Sequence, residues 1–279
     1  GVVPGEKGMG AAQMLDAASA GNLSALYVVG EDIVSSYPDR EKTLKAIDGA
    51  GFVVVQDLFL SPTAEKADVV LPAASFAEKD GTFTNAERRI QRVRPGITSP
   101  GEAKTDYAIF ELLVSKLGSS LSFTGPAAVF AALAEEASGY QGISFDAIGA
   151  EGIVWGGENI SVSQKTLVPV DGSDAVDGKY VLLTGSALYH SGTVSTRAKG
   201  PVAVVPEAYI ELGRDDAAEL KISEGDLVKV KGNGAEVQLK AKIDNRLPQG
   251  VLFAPYHFAA AGLNTVYKGE AAVAVEISK

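Results

Sequence analysis

The sequence predicts an α/β domain built on a parallel sheet, followed by a mainly-β domain that closes into a small barrel. Between residues 20 and 72, short β-branched runs alternate with short helical patterns, the order that builds parallel strands joined by helical crossovers. From Tyr180 onward, strand-like runs are separated by hairpin-grade turns with one helix among them, the texture of a barrel. A length of 279 residues suits about two domains.

Taken in order, a helix is expected over residues 11–20 and a strand over 26–29 that ends in Gly30, Glu31 and Asp32. A helix over 41–50 places Leu44 and Ile47 on one face. The apolar run 52–55, bounded by Gly51 and by Gln56 and Asp57, reads as a fully buried strand. A helical piece over 63–67 leads to a second strand at 69–71, stopped by Pro72. After Glu78, turn chemistry around Asp80 and Gly81 precedes Arg88, Arg89, Arg92 and Arg94. Thr105 and Asp106 are placed to cap a helix running to Leu117, with Phe110, Leu113, Val114 and Leu117 as its buried stripe. Pro126 fits the first turn of another helix that reaches about Ala137.

Residues 139–178 are Gly-rich with few periodic cues and read as a linker; the strongest linker composition is at 170–179, and Trp155 reads as a packing residue. This divides the chain into 1–138, the linker, and 179–279. In the last part strands are expected at 180–183, 202–205, 227–231, 236–243 and 251–254, with a helix at 214–220. Turns fall at Glu224-Gly225-Asp226 and at Gly232-Asn233-Gly234.

Composition excludes several function classes. The apolar fraction of 46% supports a sizeable core, and a net charge of −10 argues against nucleic acid, whose phosphates demand a basic face. Cysteine is absent, which removes disulfides, thiolate metal sites and iron–sulfur clusters from these residues. No apolar run approaches the ~20 residues of a membrane span, so no direct membrane insertion is expected. The two histidines, His190 and His257, have no second ligand at metal spacing, and His190 beside Ser191 is a poor nucleophile pair because adjacent loop residues rarely converge. The opening GVVPGEKGMGAAQ reads as the middle of a domain, and the chain is expected to be a portion of a longer one.

Two stretches point to a family. The first holds Val55-Gln56-Asp57, Thr63-Ala64, Ala67-Asp68-Val69-Val70-Leu71-Pro72-Ala73, and Glu78-Lys79-Asp80-Gly81-Thr82-Phe83-Thr84-Asn85 with Glu87-Arg88-Arg89. The second holds Leu183-Thr184-Gly185, His190-Ser191-Gly192-Thr193, Pro206-Glu207, Asp215-Asp216-Ala217, Gly225-Asp226-Leu227-Val228 and Pro255-Tyr256-His257-Phe258, with Asn264 further on. So many fixed spacings form a specific signal. The chain resembles the C-terminal portion of the molybdopterin oxidoreductase family, whose members include formate dehydrogenases and the large iron–sulfur subunit of bacterial NADH–quinone oxidoreductase. The resemblance implies that the barrel is of the double-psi type.

It also implies candidate contacts to a pterin dinucleotide, should one be bound. Gly30, Glu31 and Asp32 form a loop whose backbone can approach a dinucleotide; read alone, they are an ordinary strand-to-helix turn. Gln56, Asp57, Thr63 and Asp68 are placed for guanosine contacts, or for capping in the case of Thr63. Gly81 and Thr82 with the neighbouring arginines suit pyrophosphate, or else an exposed charged strand facing a partner. Thr184 and Gly185 precede His190, Ser191, Gly192 and Thr193, a loop suited to cradle phosphate or pterin. Asn264 falls at a cofactor-facing position of the family, and His257 reads as a satisfied structural histidine.

Two departures favour the branch without a pterin: Ser186 stands where many cofactor-loaded relatives have Arg, and Asp32 where the family more often has Asn. The expectation is a non-redox scaffold with no catalytic residue, no metal ligand and no cofactor of its own. Its partners would be other subunits of the peripheral arm of NADH–quinone oxidoreductase, in the cytoplasm and peripheral to the inner membrane. Iron–sulfur clusters would lie in the N-terminal region outside these residues. The alternative is the cofactor-binding portion of a molybdenum or tungsten enzyme that holds bis-molybdopterin guanine dinucleotide, such as formate dehydrogenase.

Overall fold

The computed structural model describes residues 5–119, 122–156, 179–269 and 272–279. Their contacts group into two units, one containing residues 5–55, 60–70 and the described residues from 179 onward, the other containing 56–59 and the described residues of 71–156.

The chain opens with α1 (Ala11–Ser19), β1 (Leu26–Val29), α2 (Ile33–Ser36) and α3 (Arg40–Gly49), then β2 (Val53–Asp57), a 3₁₀ turn at Ala64–Lys66 and β3 (Val69–Pro72), all grouped with the first unit except residues 56–57 and 71–72. The strands form a parallel sheet in the order β1-β2-β3. Alternation along β1 and β2 turns Leu26, Val28, Val53 and Val55 to one face, where they pack with Val34, Ile47 and Ala64. Asp39 starts α3 by accepting from the Lys42 amide at 3.0 Å. Near its end α3 lies so close to α1 that a Cβ on Gly49 would sit 2.3 Å from the Ala18 carbonyl oxygen, so only glycine fits. The strand expected at 52–55 begins one residue later and runs through Asp57. Phe52 is 44% exposed, whereas Gln56 is buried inside the strand. β3, outermost in the sheet, leaves Val69 and Val70 exposed, as Tyr27 and Val29 are on β1.

The second unit holds β4 (Gly81–Thr84), β5 (Arg89–Val93), α4 (Asp106–Lys116), α5 (Pro126–Glu136) and β6 (Ile153–Val154), with β4-β5-β6 an antiparallel sheet. Its core gathers Ile90, Phe130, Phe145 and Ile148. Trp155 stacks on Tyr140 with ring centroids 5.2 Å apart, the packing role its sequence context predicts. Three expectations change here. The turn chemistry expected around Asp80 and Gly81 falls instead at Asn85, whose Oδ1 accepts from the Glu87 and Arg89 amides, while Gly81 opens β4. On α4 the buried residue is Ile109, while Phe110 is 40% and Leu117 85% exposed; apolar residues on several faces of this helix leave its period without a unique stripe. The arginines of β5 are held inside the unit. Arg92 pairs with Asp80 at 3.2 Å and lies 3.8 Å over the Phe145 ring, and Arg89 Nη1 donates to the Glu151 carbonyl. The linker composition at 170–178 lies outside the described residues.

The barrel of the first unit comprises β7 (Tyr180–Gly185), α6 (Lys199–Val204), β8 (Tyr209–Leu212), α7 (Arg214–Leu220), β9 (Leu227–Gly232), β10 (Ala235–Ile243), β11 (Val251–Pro255), α8 (Asn264–Tyr267) and β12 (Ala272–Ser278). Six strands close in the order β10-β8-β11-β7-β12-β9. β8 runs parallel to β10 and β7 parallel to β11, and the other pairings are antiparallel. Leu182, Ile210, Leu212, Val228, Val230 and Leu252 are wholly buried inside, each contributing roughly 1.5–3 kcal/mol. The β9–β10 hairpin turns through Asn233 and Gly234, both at positive φ, as the Gly-Asn-Gly run predicts. The strand expected at 202–205 is instead covered by α6. Pro201 suits a helical first turn, and Val204 is 57% exposed, so the β-branched run has no sheet surface to pack on. The strand in this part of the chain is β8, where Ile210 and Leu212 point inward.

Candidate functional site

In the first unit the turn after β1 and the barrel share one hydrogen-bonded chain of side chains. Gly30 takes a left-handed φ of +64°, and Glu31 is exposed. Asp32 turns inward. Its Oδ1 accepts from the Thr63 amide at 3.1 Å and from Thr63 Oγ1 at 2.6 Å. Thr63 Oγ1 in turn accepts from the Val34 amide at 2.9 Å, and Asn264 Nδ2 donates to the carbonyls of Val34 and Tyr37 at 3.0 and 2.9 Å. Asp32, Thr63 and Asn264, read separately as ligand contacts, are thus buried and joined through α2. Asp68 Oδ2 accepts from the Val53 amide at 2.7 Å, holding the start of β2.

This arrangement makes a prediction. Because Oδ1 receives both Thr63 donors, Asp32→Asn retains both bonds and should cost under about 1 kcal/mol. Asp32→Ala strands a buried amide and should cost about 2 kcal/mol in a denaturant melt. Equal losses in the two variants would place the effect in the charge instead.

In the second unit Gln56 is fully buried, and its Nε2 donates to Asp106 Oδ1 at 2.7 Å. The other Asp106 oxygen takes Lys79 Nζ at 2.5 Å. Asp106 therefore does more than open α4, and the sequence pattern, read as a cap, hides this role. Asp57 Oδ1 accepts from the Leu58 amide. Gly81 and Thr82 sit opposite Val93 and Arg92 on the β4–β5 ladder. With Lys79, Asp80 and Asp106 they line a cavity of about 220 Å³.

At the barrel, Thr184 and Gly185 end β7 beside the parallel end of β11, with Gly185 opposite Pro255. The loop that follows is bound mostly to itself. His190 Nε2 donates to the Val205 carbonyl at 2.9 Å, and Nδ1 lies 3.0 Å from Ser195 Oγ. Ser195 Oγ accepts from the Ser191 amide and donates to the Gly192 carbonyl. Gly192, at φ +93°, and Thr193 lead into a 3₁₀ turn at Thr193–Arg197. Both ring nitrogens of His190 and the Ser191 amide are thereby occupied, which leaves less of this loop for a phosphate than its composition promises.

His257 contradicts its sequence reading. It is 1% exposed, yet neither ring nitrogen has a hydrogen-bond partner among the described residues. Its ring lies 4.8 Å from His190 and 4.6 Å from Phe258 between centroids. Burial, reinforced by the neighbouring His190, pushes its pKa down to about 4. The one signal in the sequence is that one of just two histidines follows a strand end.

Known proteins bear on this arrangement. Residues 2–116 match the family model described as molybdopterin oxidoreductase, and residues 180–275 match the molydopterin dinucleotide binding domain. The F420-dependent formate dehydrogenase subunit alpha of Methanocaldococcus jannaschii is 38% identical over 278 residues, covering 91% of this chain and 41% of that protein. An NADH-quinone oxidoreductase subunit of Rhizobium meliloti is 34% identical over 276 residues, covering 99% of this chain and 32% of that protein. The chain thus spans well under half the length of these relatives. In fold, acetylene hydratase from Pelobacter acetylenicus superposes with a TM-score of 0.70 at 15% identity, over 95% of this chain and 46% of that one. With both domain models matched in tandem on a parallel sheet and a closed six-stranded barrel, the chain belongs to the molybdopterin oxidoreductase family.

Proposed function

We propose that these residues are the non-redox, C-terminal scaffold of the large iron–sulfur subunit of an NADH–quinone oxidoreductase, supporting electron transfer from NADH to quinone. The observation behind this reading is that the side chains expected to hold a dinucleotide are largely taken up by the protein itself. Asp32 binds Thr63, Thr63 and Asn264 both bind the backbone of Val34 in α2, Gln56 binds Asp106, and His190 binds Ser195 and Val205. Ser186, at the position where the family resemblance leads one to expect Arg in many cofactor-loaded members, points the same way. In this reading the double-psi barrel and the preceding α/β domain, divided near residues 139–178, pack on other subunits of the peripheral arm in the cytoplasm. Iron–sulfur clusters belong to a region N-terminal to these residues.

A second reading is favoured by His257, a buried group in search of a partner, and by the similarity to a formate dehydrogenase subunit. It assigns these residues to a molybdenum or tungsten enzyme with bis-molybdopterin guanine dinucleotide. Glu31 and the Gly30 turn, Asp57, Gly81, Thr82, Thr184, Gly185 and Thr193 would then hold the dinucleotides. When bound, that group supplies the metal at which substrate is oxidised.

Plasma mass spectrometry for Mo and W on the full-length protein, with acid extraction for GMP, separates the two. Iron without Mo, W or GMP is the expected result. Metal near stoichiometry with two GMP per chain would establish the second reading instead.

A further inference from the structure

A buried polar atom without a partner calls for a cause. Tyr180, the first residue of β7, is 4% exposed, and its Oη has no hydrogen-bond partner among the described residues. A phenylalanine would fill the same place in the barrel core without stranding a hydroxyl, so packing does not account for a tyrosine here. Tyr180 borders a cavity of about 640 Å³, lined also by Lys179, Leu220, Lys231 and residues 274–277 of β12. β12 pairs with β7 only as far as Val275, opposite Tyr180, and from Glu276 onward it pairs with β9. Lys179 does not satisfy the phenol. Its ammonium is held by Glu219 and stands 5.4 Å from the centre of the Tyr180 ring. From there the phenol adds to the rise in the Lys179 pKa that Glu219 leads, yet it stays outside hydrogen-bond distance. The hydroxyl therefore lies on the side of the core where Lys179 and the cavity are. The Lys179 side chain, 62% exposed, lies over this ring and can change rotamer to admit a ligand.

We propose that this cavity binds a small monocarboxylate with an apolar body of several carbons, Tyr180 donating its hydroxyl hydrogen to a carboxylate oxygen and Lys231 supplying the countercharge. Three observations select this class. The phenol is a donor that a carboxylate accepts, and charge-assisted bonds of this kind are the strong ones. Leu220, Ala274, Val275 and Ile277 give the cavity aliphatic walls, and its volume suits a site that buries most of a small organic ligand. The exposed Lys231 makes no ion pair among the described residues, and Glu276 sits opposite it on the β12–β9 ladder. One free cation beside one carboxylate suits a single negative charge and repels a phosphate dianion. The cavity lies at the amino end of β7, at the opposite end of that strand from Thr184, Gly185 and the His190 loop. Binding here goes beyond the scaffold reading and depends on neither assignment of that other end.

The test uses full-length protein with octanoate and phenylpropionate as probes, followed by ligand-observed NMR and equilibrium dialysis. At least one acid should bind with a Kd below about 1 mM, and octanol, which keeps the chain without the charge, should bind at least about tenfold more weakly. Tyr180→Phe should weaken acid binding at least about tenfold, the loss expected of a hydrogen bond to a charged group, while the melting temperature stays level or rises. Lys231→Gln should weaken binding as well, and Glu276→Gln should strengthen it by removing the opposing charge. Inorganic phosphate at millimolar concentration should not compete. Binding of neither acid, equal binding by Tyr180→Phe, weaker binding by Glu276→Gln, or competition by phosphate would each overturn the assignment and leave an ordered water as the partner of Tyr180. Should Tyr180→Phe fail to fold, the Lys231 and Glu276 variants, both at exposed side chains, decide the matter through the opposite signs they must show. The Mo, W and GMP content decides the scaffold reading separately, since the comparison at Tyr180 is scored on the acid alone.

Discussion

Asn264→Leu should cost the first unit about 3–4 kcal/mol, a drop of roughly 10 °C in Tm. The leucine roughly conserves volume but removes the donor that serves both the Val34 and Tyr37 carbonyls. Each carbonyl then loses its bond where water cannot easily replace it, and the cost of an unpaired buried acceptor exceeds that of the lost bond itself. Amide exchange gives the sharper readout. The Val34 amide, bound to Thr63 Oγ1, should exchange faster in the variant because α2 is no longer held against α8. The amides of β4 and β5, in the other unit, should be unaffected. If the melt and the exchange rates were both unchanged, α2 would be held by its apolar contacts alone.

The second large effect is one of pH. His257 has its pKa lowered to about 4, first by burial and then by His190. In the unfolded chain the same imidazole titrates near 6.5. Between these values the unfolded state binds a proton that the native state refuses, so native stability falls as pH drops from about 6.5 towards about 4. At ~1.4 kcal/mol per pH unit, full expression across this window bounds the loss at ~3.5 kcal/mol. His257→Phe should remove that slope and be more stable than the parent at pH 5, measured by denaturant melts from pH 4 to 8. A parent and variant with parallel profiles would mean that the ring is protonated freely in the native state, and the burial argument would fail.

What the sequence reveals follows from which interactions are local. β1, α3 and the β9–β10 hairpin are legible because alternation, the Asp39 cap and the Asn233-Gly234 turn act within a few residues. α6 and β8 are misread because a β-branched run makes a strand only where a sheet offers a surface. Val204 lies in solvent, while Ile210, in a run of only four residues, is wholly buried. At the candidate site, residue types are easy to nominate but their partners are not. Asn264 reaches Val34 across 230 positions of sequence, a distance over which no spacing rule operates. Asp106 and His257 read as local features for the same reason: Gln56 and the His190 ring become their neighbours only once the chain has folded.

The order of strands around the barrel has a consequence for how the chain is made. β12, the last strand, lies between β7 and β9 and pairs with both, Val273 opposite Leu182 and Ile277 opposite Val230. The first barrel strand to leave the ribosome must therefore wait for the last before the ring can close. Until then β7 and β9 each present an unpaired edge to other nascent chains. Such long-range pairing slows folding and lengthens the exposure, so the interval before β12 emerges is the period in which this unit is most open to aggregation and to chaperone capture.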